Sequence, residues 1–557
     1  MTSASAPGRM AAKVSLRTWS VAAGVIPIVF LATFFIWPML TLVGRGFVNA
    51  EGFTLAEVSS VFESARTWRI LGQTLLQASV GTVVAVLAGI PGAFVLYCRS
   101  FPGRNLVKAL VAIPFVLPSV VVGVAFRALI NEQGPLGFLG LGDSFVSIIA
   151  ALVFFNYSVV VRTVGVLWSR LDPRASDAAR SLGATRFKAF ITITLPGLAP
   201  AIAAAAALTF LFCASAFGII LILAPANYGT VETEIYYQTT QLLNLPAAAA
   251  LSIVQLVIVT ATLIVSNIAR SRNETALKLR SDENTQPLRV ADWFPTTITA
   301  LVGFGLLAAP MANLVWRSLH TRSGFGLGNY AGLAVVSPGM ATSVWQAILN
   351  SLMTATMAMG IAVLLGIQVS YLLSRRPKTK SGRRALNLLD SVFMLPLGVS
   401  AVTIGFGFLI TLNRPPLDLR TSWVLIPLAQ AMVALPLVVR TLLPTWRAIS
   451  PRMREAAASL GSSPAGILTR IDLPYLSRGI GLAIGFAFAT SLGEFGATSF
   501  LARPDRPTLP VLIFRLISRP GAENFGMAMA ACVVLAALTG VIMALAEWIG
   551  PKTTGWV

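Results

Sequence analysis

Long unbroken apolar runs, separated by short polar segments, set the rhythm of this chain. The runs centre near residues 21–43, 70–97, 107–127, 144–168, 197–223, 247–269, 293–316, 344–374, 386–411, 422–445, 478–502 and 525–549. Each reaches the roughly 20 residues that a helix needs to cross a hydrocarbon core of about 30 Å. Apolar residues follow one another instead of alternating with polar ones, which predicts helices and not the strands of a barrel. The fold class expected is all-α, a polytopic membrane protein of about 12 transmembrane helices.

Composition strengthens this reading. Of 557 residues 56% are hydrophobic and only 11% charged, where a soluble domain carries about 25%. A water-soluble enzyme is excluded. The net charge of +21 would point to nucleic acid in a soluble chain. Here it reports orientation instead, and no nucleic-acid partner is expected. With the N-terminus inside, 28 of the 42 Lys and Arg residues fall on cytoplasmic segments and 12 on outer loops. That bias predicts both termini in the cytoplasm. Arg9, Lys13 and Arg17 precede the first run, Val21 to Val43, which is longer than a signal-peptide core and is expected to remain as the first span. The chain holds one histidine, His320, and three cysteines, Cys98, Cys213 and Cys532, all within or beside apolar runs. These make neither a metal site nor a disulfide framework. No Gly-Lys pair exists to build a phosphate-cradling loop, so ATP hydrolysis by that route is excluded. No catalytic residue is expected, and an intramembrane enzyme lacks its clustered nucleophile, base or ligands.

The most polar stretch, around residues 270–292, falls at the midpoint. It divides the chain into a first unit of six spans, 1–269, and a second, 293–557. At an offset of 278, residues 159–196 meet residues 437–474 with 15 identities in 38 positions and no gap. The matches include Arg162/Arg440, Trp168/Trp446, Pro173/Pro451, Gly183/Gly461 and Pro196/Pro474, which shared hydrophobicity alone would not align. Six spans per half make the two repeats parallel.

Each repeated segment is the longest cytoplasmic loop of its half, 172–196 and 450–474. Asp172-Pro173 and Ser450-Pro451 read as an N-cap followed by proline at the first helical position. Paired alanines follow, Ala178-Ala179 and Ala456-Ala457, each headed by an acid, Asp177 or Glu455. Gly183 and Gly461 read as the stop. Small residues on a protruding helix let another surface approach closely. A plain amphipathic helix lying on the bilayer is the alternative, and the duplication at fixed spacing favours a docking role.

The spacing Glu-Ala-Ala, three residues, Gly, nine residues, Ile-x-Leu-Pro resembles the signature loop of binding-protein-dependent ABC importer membrane subunits. The second copy, Glu455-Ala456-Ala457, Gly461, Ile471 and Leu473-Pro474, matches every position. The first, Asp177-Ala178-Ala179, Gly183, Ile193 and Leu195-Pro196, departs only in Asp for Glu. The resemblance implies two parallel six-helix repeats of the type I ABC importer permease fold in a bacterial plasma membrane. It implies that these loops seat on a homodimeric ABC ATPase at the cytoplasmic face, that ATP and Mg belong to that partner, and that a solute-binding protein delivers cargo at the outer face.

Fusion of two units in one chain resembles the thiamine and ferric-iron permeases, and the stretch Thr230 to Tyr236 tilts the comparison to thiamine. Ser491 to Ala497, containing Gly493, Glu494 and Phe495, is similar to a segment of that subgroup, and the first half retains Phe217 and Gly218 at the matching place. Glu494 is the acid set deepest within a span, a candidate for the translocation path, with Gly493, Phe495 and Phe217 beside it. The alternative is a carboxylate that holds helices together. Asn156, Gln73, Gln255 and Gln430 are read chiefly as interhelical hydrogen-bonding groups. An ion-coupled secondary transporter with two six-span halves is the competing function, and it lacks a duplicated acidic relay.

Overall fold

The computed structural model describes residues 24–49, 52–53, 56–273, 285–321, 324–374, 379–415 and 417–549. The basic N-terminal tail, the middle of the polar connector and the last eight residues lie outside them. Among the described residues nine helices are long and apolar enough to cross a membrane, and three further bent pairs bring the number to 12. The chain is mostly helical, as its apolar runs predict.

Two of these bent pairs turn through about a right angle. Arg104–Val116 and Ser119–Ile130 meet at 104°, and Lys380–Gly398 and Ala401–Thr411 meet at 96°. In the first, Leu117 turns to extended backbone with ψ 140°. Proline at 118 disfavours helical geometry in the residue before it and cannot donate to the preceding turn. In the second, Val399 takes ψ 135° and Ser400 restarts the helix, its hydroxyl accepting from the Val402 amide at 3.1 Å. Apolar length cannot reveal a bend, because both limbs are equally hydrophobic.

The chain folds as two compact units that cross the boundary of the sequence repeat. One comprises the described parts of Met1–Gly44, Ala347–Thr508 and Leu538–Val557, the other Arg45–Gln346 and Leu509–Ala537. The leading helix of each half therefore packs with residues of the other half. In the first unit Phe34 meets Phe408 with ring centroids 6.2 Å apart. In the second, Leu307 joins the core formed by Phe154, Tyr157 and Val160.

Between apolar helices in lipid, close packing replaces water exclusion as the source of attraction. Both units use the same device. A Cβ on Gly89 would come within 2.5 Å of Val160, and a Cβ on Gly366 would collide with Val438, the residue that matches Val160 in the repeat. These contacts join Ala65–Ala93 to Phe145–Arg170 and Val344–Leu373 to Leu425–Ala448. Phe145–Arg170 and Leu425–Ala448 are also the most enclosed spans, with 72% and 78% of their apolar windows buried against 28% for Val290–Ser318. Each runs directly into its signature loop, so the loop is rooted in the best-held helix of its unit.

Candidate functional site

The two signature loops fold alike. Arg174–Ser181 and Pro451–Ser459 are short helices that begin one residue apart in repeat register. In the first copy Asp172 Oδ1 accepts from the Arg174 amide at 3.0 Å, as an N-terminal cap should. In the second, Ser450 occupies the cap position but its side chain makes no capping bond. Both helices close by the same three bonds. The amides of Leu182, Gly183 and Ala184 reach the carbonyls of Ala178, Arg180 and Ala179, and those of Leu460, Gly461 and Ser462 reach Ala456, Ala458 and Ala457, all at 3.0–3.1 Å. This is the Schellman arrangement, which needs a left-handed residue just past the helix. Gly183 at φ +90° and Gly461 at φ +83° supply it.

Asp177 and Ala178 are exposed and Ala179 is half-buried, and Glu455, Ala456 and Ala457 repeat that pattern. The sequence reading missed the residue that caps each helix. Leu182 is 89% exposed and Leu460 87%. Two large apolar side chains held out at equivalent points are knobs without a hole in this chain.

Behind the loops stand Trp168 and Trp446, each roofed differently. Trp168 stacks on Phe190 with centroids 5.8 Å apart and 24° between planes. Over Trp446 lies the Arg454 guanidinium, 5.7 Å from the ring centroid, and Arg454 Nε donates to Asp472 Oδ1 at 2.7 Å. Asp472 is buried, so this bond ties the loop helix to the root of the next span. The first loop has Ser176 and Thr194 at these places and no such brace. Asp472→Asn is expected to loosen the second loop by about 1–3 kcal/mol, the worth of a charge-assisted bond. Amide hydrogen exchange should quicken at 452–463 and stay unchanged at 174–185; equal exchange in mutant and parent would refute the brace.

The Leu-Pro that ends each signature also has a local consequence. Phe190–Thr194 and Leu468–Asp472, identical in repeat register, are π-helical turns. Proline at 196 and 474 cannot donate to the turn before it, and the wider turn accommodates the ring.

The next spans each break before crossing fully. Leu195–Ala214 stops short of Gly218–Leu223, and Leu473–Leu492 stops short of Thr498–Leu501. A break leaves carbonyls with no helical donor, which is costly in lipid. Both units cap the same one. Gln77 Nε2 donates to the Cys213 carbonyl and Gln430 Nε2 to the Ser491 carbonyl, each at 2.9 Å, and 213 and 491 match in the repeat although the glutamines come from different spans.

Glu494 sits in the second break. Its Oε1 accepts from the Ala497 amide at 2.7 Å and its Oε2 from the Thr498 amide at 3.0 Å. Both oxygens thus cap Thr498–Leu501. Gly493 closes the preceding helix and Phe495 is buried. Phe217, in the first break, packs on Tyr236 with centroids 5.4 Å apart. Gln255, Gln73 and Asn156 are hydrogen-bonded between segments, Gln255 Nε2 to Glu232 Oε1 at 2.8 Å, Gln73 Oε1 from the Gly229 amide at 3.2 Å, and Asn156 Nδ2 to Cys213 Sγ at 3.5 Å besides the Leu152 carbonyl of its own helix at 2.9 Å. Glu234 pairs with Arg66 at 2.9 Å. Two acids from the Thr230–Tyr236 stretch are therefore buried and engaged within the fold. The three cysteines are buried, and none forms a disulfide among the described residues.

Nine to 12 candidate crossings among the described residues, a sequence repeat and two matching exposed loops are the features of a multi-pass membrane permease. Residues 81–274 match the family described as binding-protein-dependent transport system inner membrane component. The chain is 34% identical over 207 residues to the sulfate transport system permease protein of Salmonella typhimurium, covering 75% of that protein and 36% of this chain. It is 26% identical over 558 residues to the thiamine transport system permease protein of Brucella abortus, covering 97% of both chains. The ferric transport system permease protein of Actinobacillus pleuropneumoniae is 22% identical over 550 residues, 94% of this chain and 77% of that one. The chain belongs to the family of binding-protein-dependent inner membrane transport components, as a multi-pass permease of the ABC importer class.

Proposed function

We propose that this permease carries a thiamine-like solute inward by alternating access, driven by a homodimeric ABC ATPase seated on Asp177 to Gly183 and Glu455 to Gly461. The observation that carries the docking assignment is the identical Schellman closure of the two loops, with Leu182 and Leu460 presented at equivalent points. ATP and Mg act on the ATPase, and a solute-binding protein hands over the cargo at the outer face. The sequence halves 1–269 and 293–557 serve as the two permease units, and both termini lie in the cytoplasm. The broken segments carrying Phe217 and Gly493 to Phe495 border the path, with Glu494 holding the break in shape.

Thiamine ranks above ferric iron because the thiamine permease relative is similar over nearly the whole of both chains. The test is ATPase stimulation in the reconstituted complex of permease, ATPase and binding protein. Thiamine is expected to stimulate hydrolysis several-fold; stimulation by ferric iron or sulfate alone would overturn the cargo assignment. Uptake that persists without the ATPase and collapses with the ion gradient would overturn the ABC mechanism in favour of a secondary transporter.

A further inference from the structure

A cavity of about 310 Å³ opens among the segments that the charge bias places on the outer side of the first unit. Its walls include Asn350 and Thr354 from one span, Trp423, and Arg503, Arg506 and Thr508 from the turn after the broken span. Arg503 is fixed, donating from Nε to Asp505 Oδ1 and from Nη1 to the Thr421 carbonyl, each at 3.1 Å. The exposed Arg506 side chain makes no hydrogen bond or ion pair among the described residues. The Thr508 hydroxyl is buried without a partner. Asn350 Nδ2 holds the turn by donating to the Pro507 carbonyl at 3.3 Å.

The other unit is built differently at the equivalent place. Tyr228 stands where Arg506 stands, and its hydroxyl bonds the Gln73 carbonyl and Gln77 Oε1 at 3.2 and 3.0 Å. Where one copy carries a hydrogen-bonded ring, the second carries an exposed guanidinium at the rim of a cavity. The outer loops follow the same contrast. Those of the second half hold eight basic and three acidic residues, those of the first half four basic and seven acidic, of which Glu232 and Glu234 are buried within the fold.

We infer that the Arg503–Arg506 cavity receives an acidic side chain of the solute-binding protein and so selects which way round that protein docks. This rests on the importer reading above. A permease with two similar halves offers two similar seats to an asymmetric partner, and opposite loop charge distinguishes them. Rim charge acts mainly on association rate and its salt dependence, because potential steers encounter before contact. Arg506 has the free guanidinium, and Trp423 offers a flat apolar wall beside it.

The full-length permease in lipid nanodiscs is tested against its own binding protein by kinetic binding at two salt concentrations. Arg506→Glu should lower the association rate about tenfold or more at low salt, with the gap narrowing at high salt. Arg506→Lys should keep most of the rate. A reversed charge at the matching acidic residue of the binding protein, found by scanning its surface acids, should restore binding to Arg506→Glu. An unchanged melting temperature and size profile establishes that Arg506→Glu is folded. If the parent permease binds and Arg506→Glu binds equally, the inference fails while the importer reading stands. If the parent binds no binding protein at all, the importer reading fails. If inorganic phosphate raises the melting temperature of the parent but not of Arg506→Glu, and protein binding is unchanged, the cavity is a small-anion site and the inference is overturned.

Discussion

Gly461→Asp abolishes solute uptake while the permease remains inserted and folded. The glycine lies at φ +83°, and a side chain there carries a left-handed strain of about 1–2 kcal/mol. A carboxylate beyond a helix C-terminus adds a further unfavourable term of about 0.3–1 kcal/mol. Nothing within 4 Å would meet a Cβ at Gly461 or at Gly183. The chain itself thus tolerates the substitution. The new side chain adds bulk and charge next in sequence to the exposed Leu460, where the proposed partner would sit. The expected result is normal membrane yield, loss of co-purifying ATPase and uptake at background. Gly461→Ala separates the causes, because it keeps most of the strain but adds little bulk and no charge, and it should retain part of the uptake. Full uptake from a double variant, Gly183→Asp with Gly461→Asp, would remove the docking role of both loops.

Much of this was legible in the chain because the relevant signals were periodic or duplicated. Twelve apolar runs gave nine to 12 candidate crossings among the described residues, and an offset of 278 aligned two loops whose C-terminal closing bonds prove identical. What stayed hidden depends on contacts between distant segments. Leading helices that pack with the opposite half leave no trace in local hydropathy. The 104° bend hides within an apolar run, although Leu117-Pro118 marks its place. Gln77 and Gln430 lie in different spans of their halves, so no alignment pairs them, yet both satisfy the carbonyl that the same break exposes. Asp472, one residue before Leu-Pro, was an available signal, since a lone acid at a span root calls for a partner. Its partner Arg454 became evident only when the loop folded back over Trp446.

At Glu494 the geometry bears on the two roles that the sequence leaves open. An acid inside a span points by default to a pathway. Here both carboxylate oxygens take backbone amides, those of Ala497 and Thr498, at a break that has no helical acceptors to offer. In lipid those amides have no water to turn to. Glu494→Ala leaves two donors unsatisfied at about 1–3 kcal/mol each, enough to lower the melting temperature and the folded yield markedly. Glu494→Gln keeps one acceptor and turns a donor towards the other amide, so its stability should fall between parent and alanine variant. Uptake normalised to folded protein then separates the roles. A cap predicts that Glu494→Gln transports at a rate near the parent once corrected for yield. A cargo ligand predicts the reverse, parent-like melting with uptake lost. The first pattern is expected, because a carboxylate already accepting two short bonds can bind a cation only by giving up the hydrogen bonds that hold the break in shape.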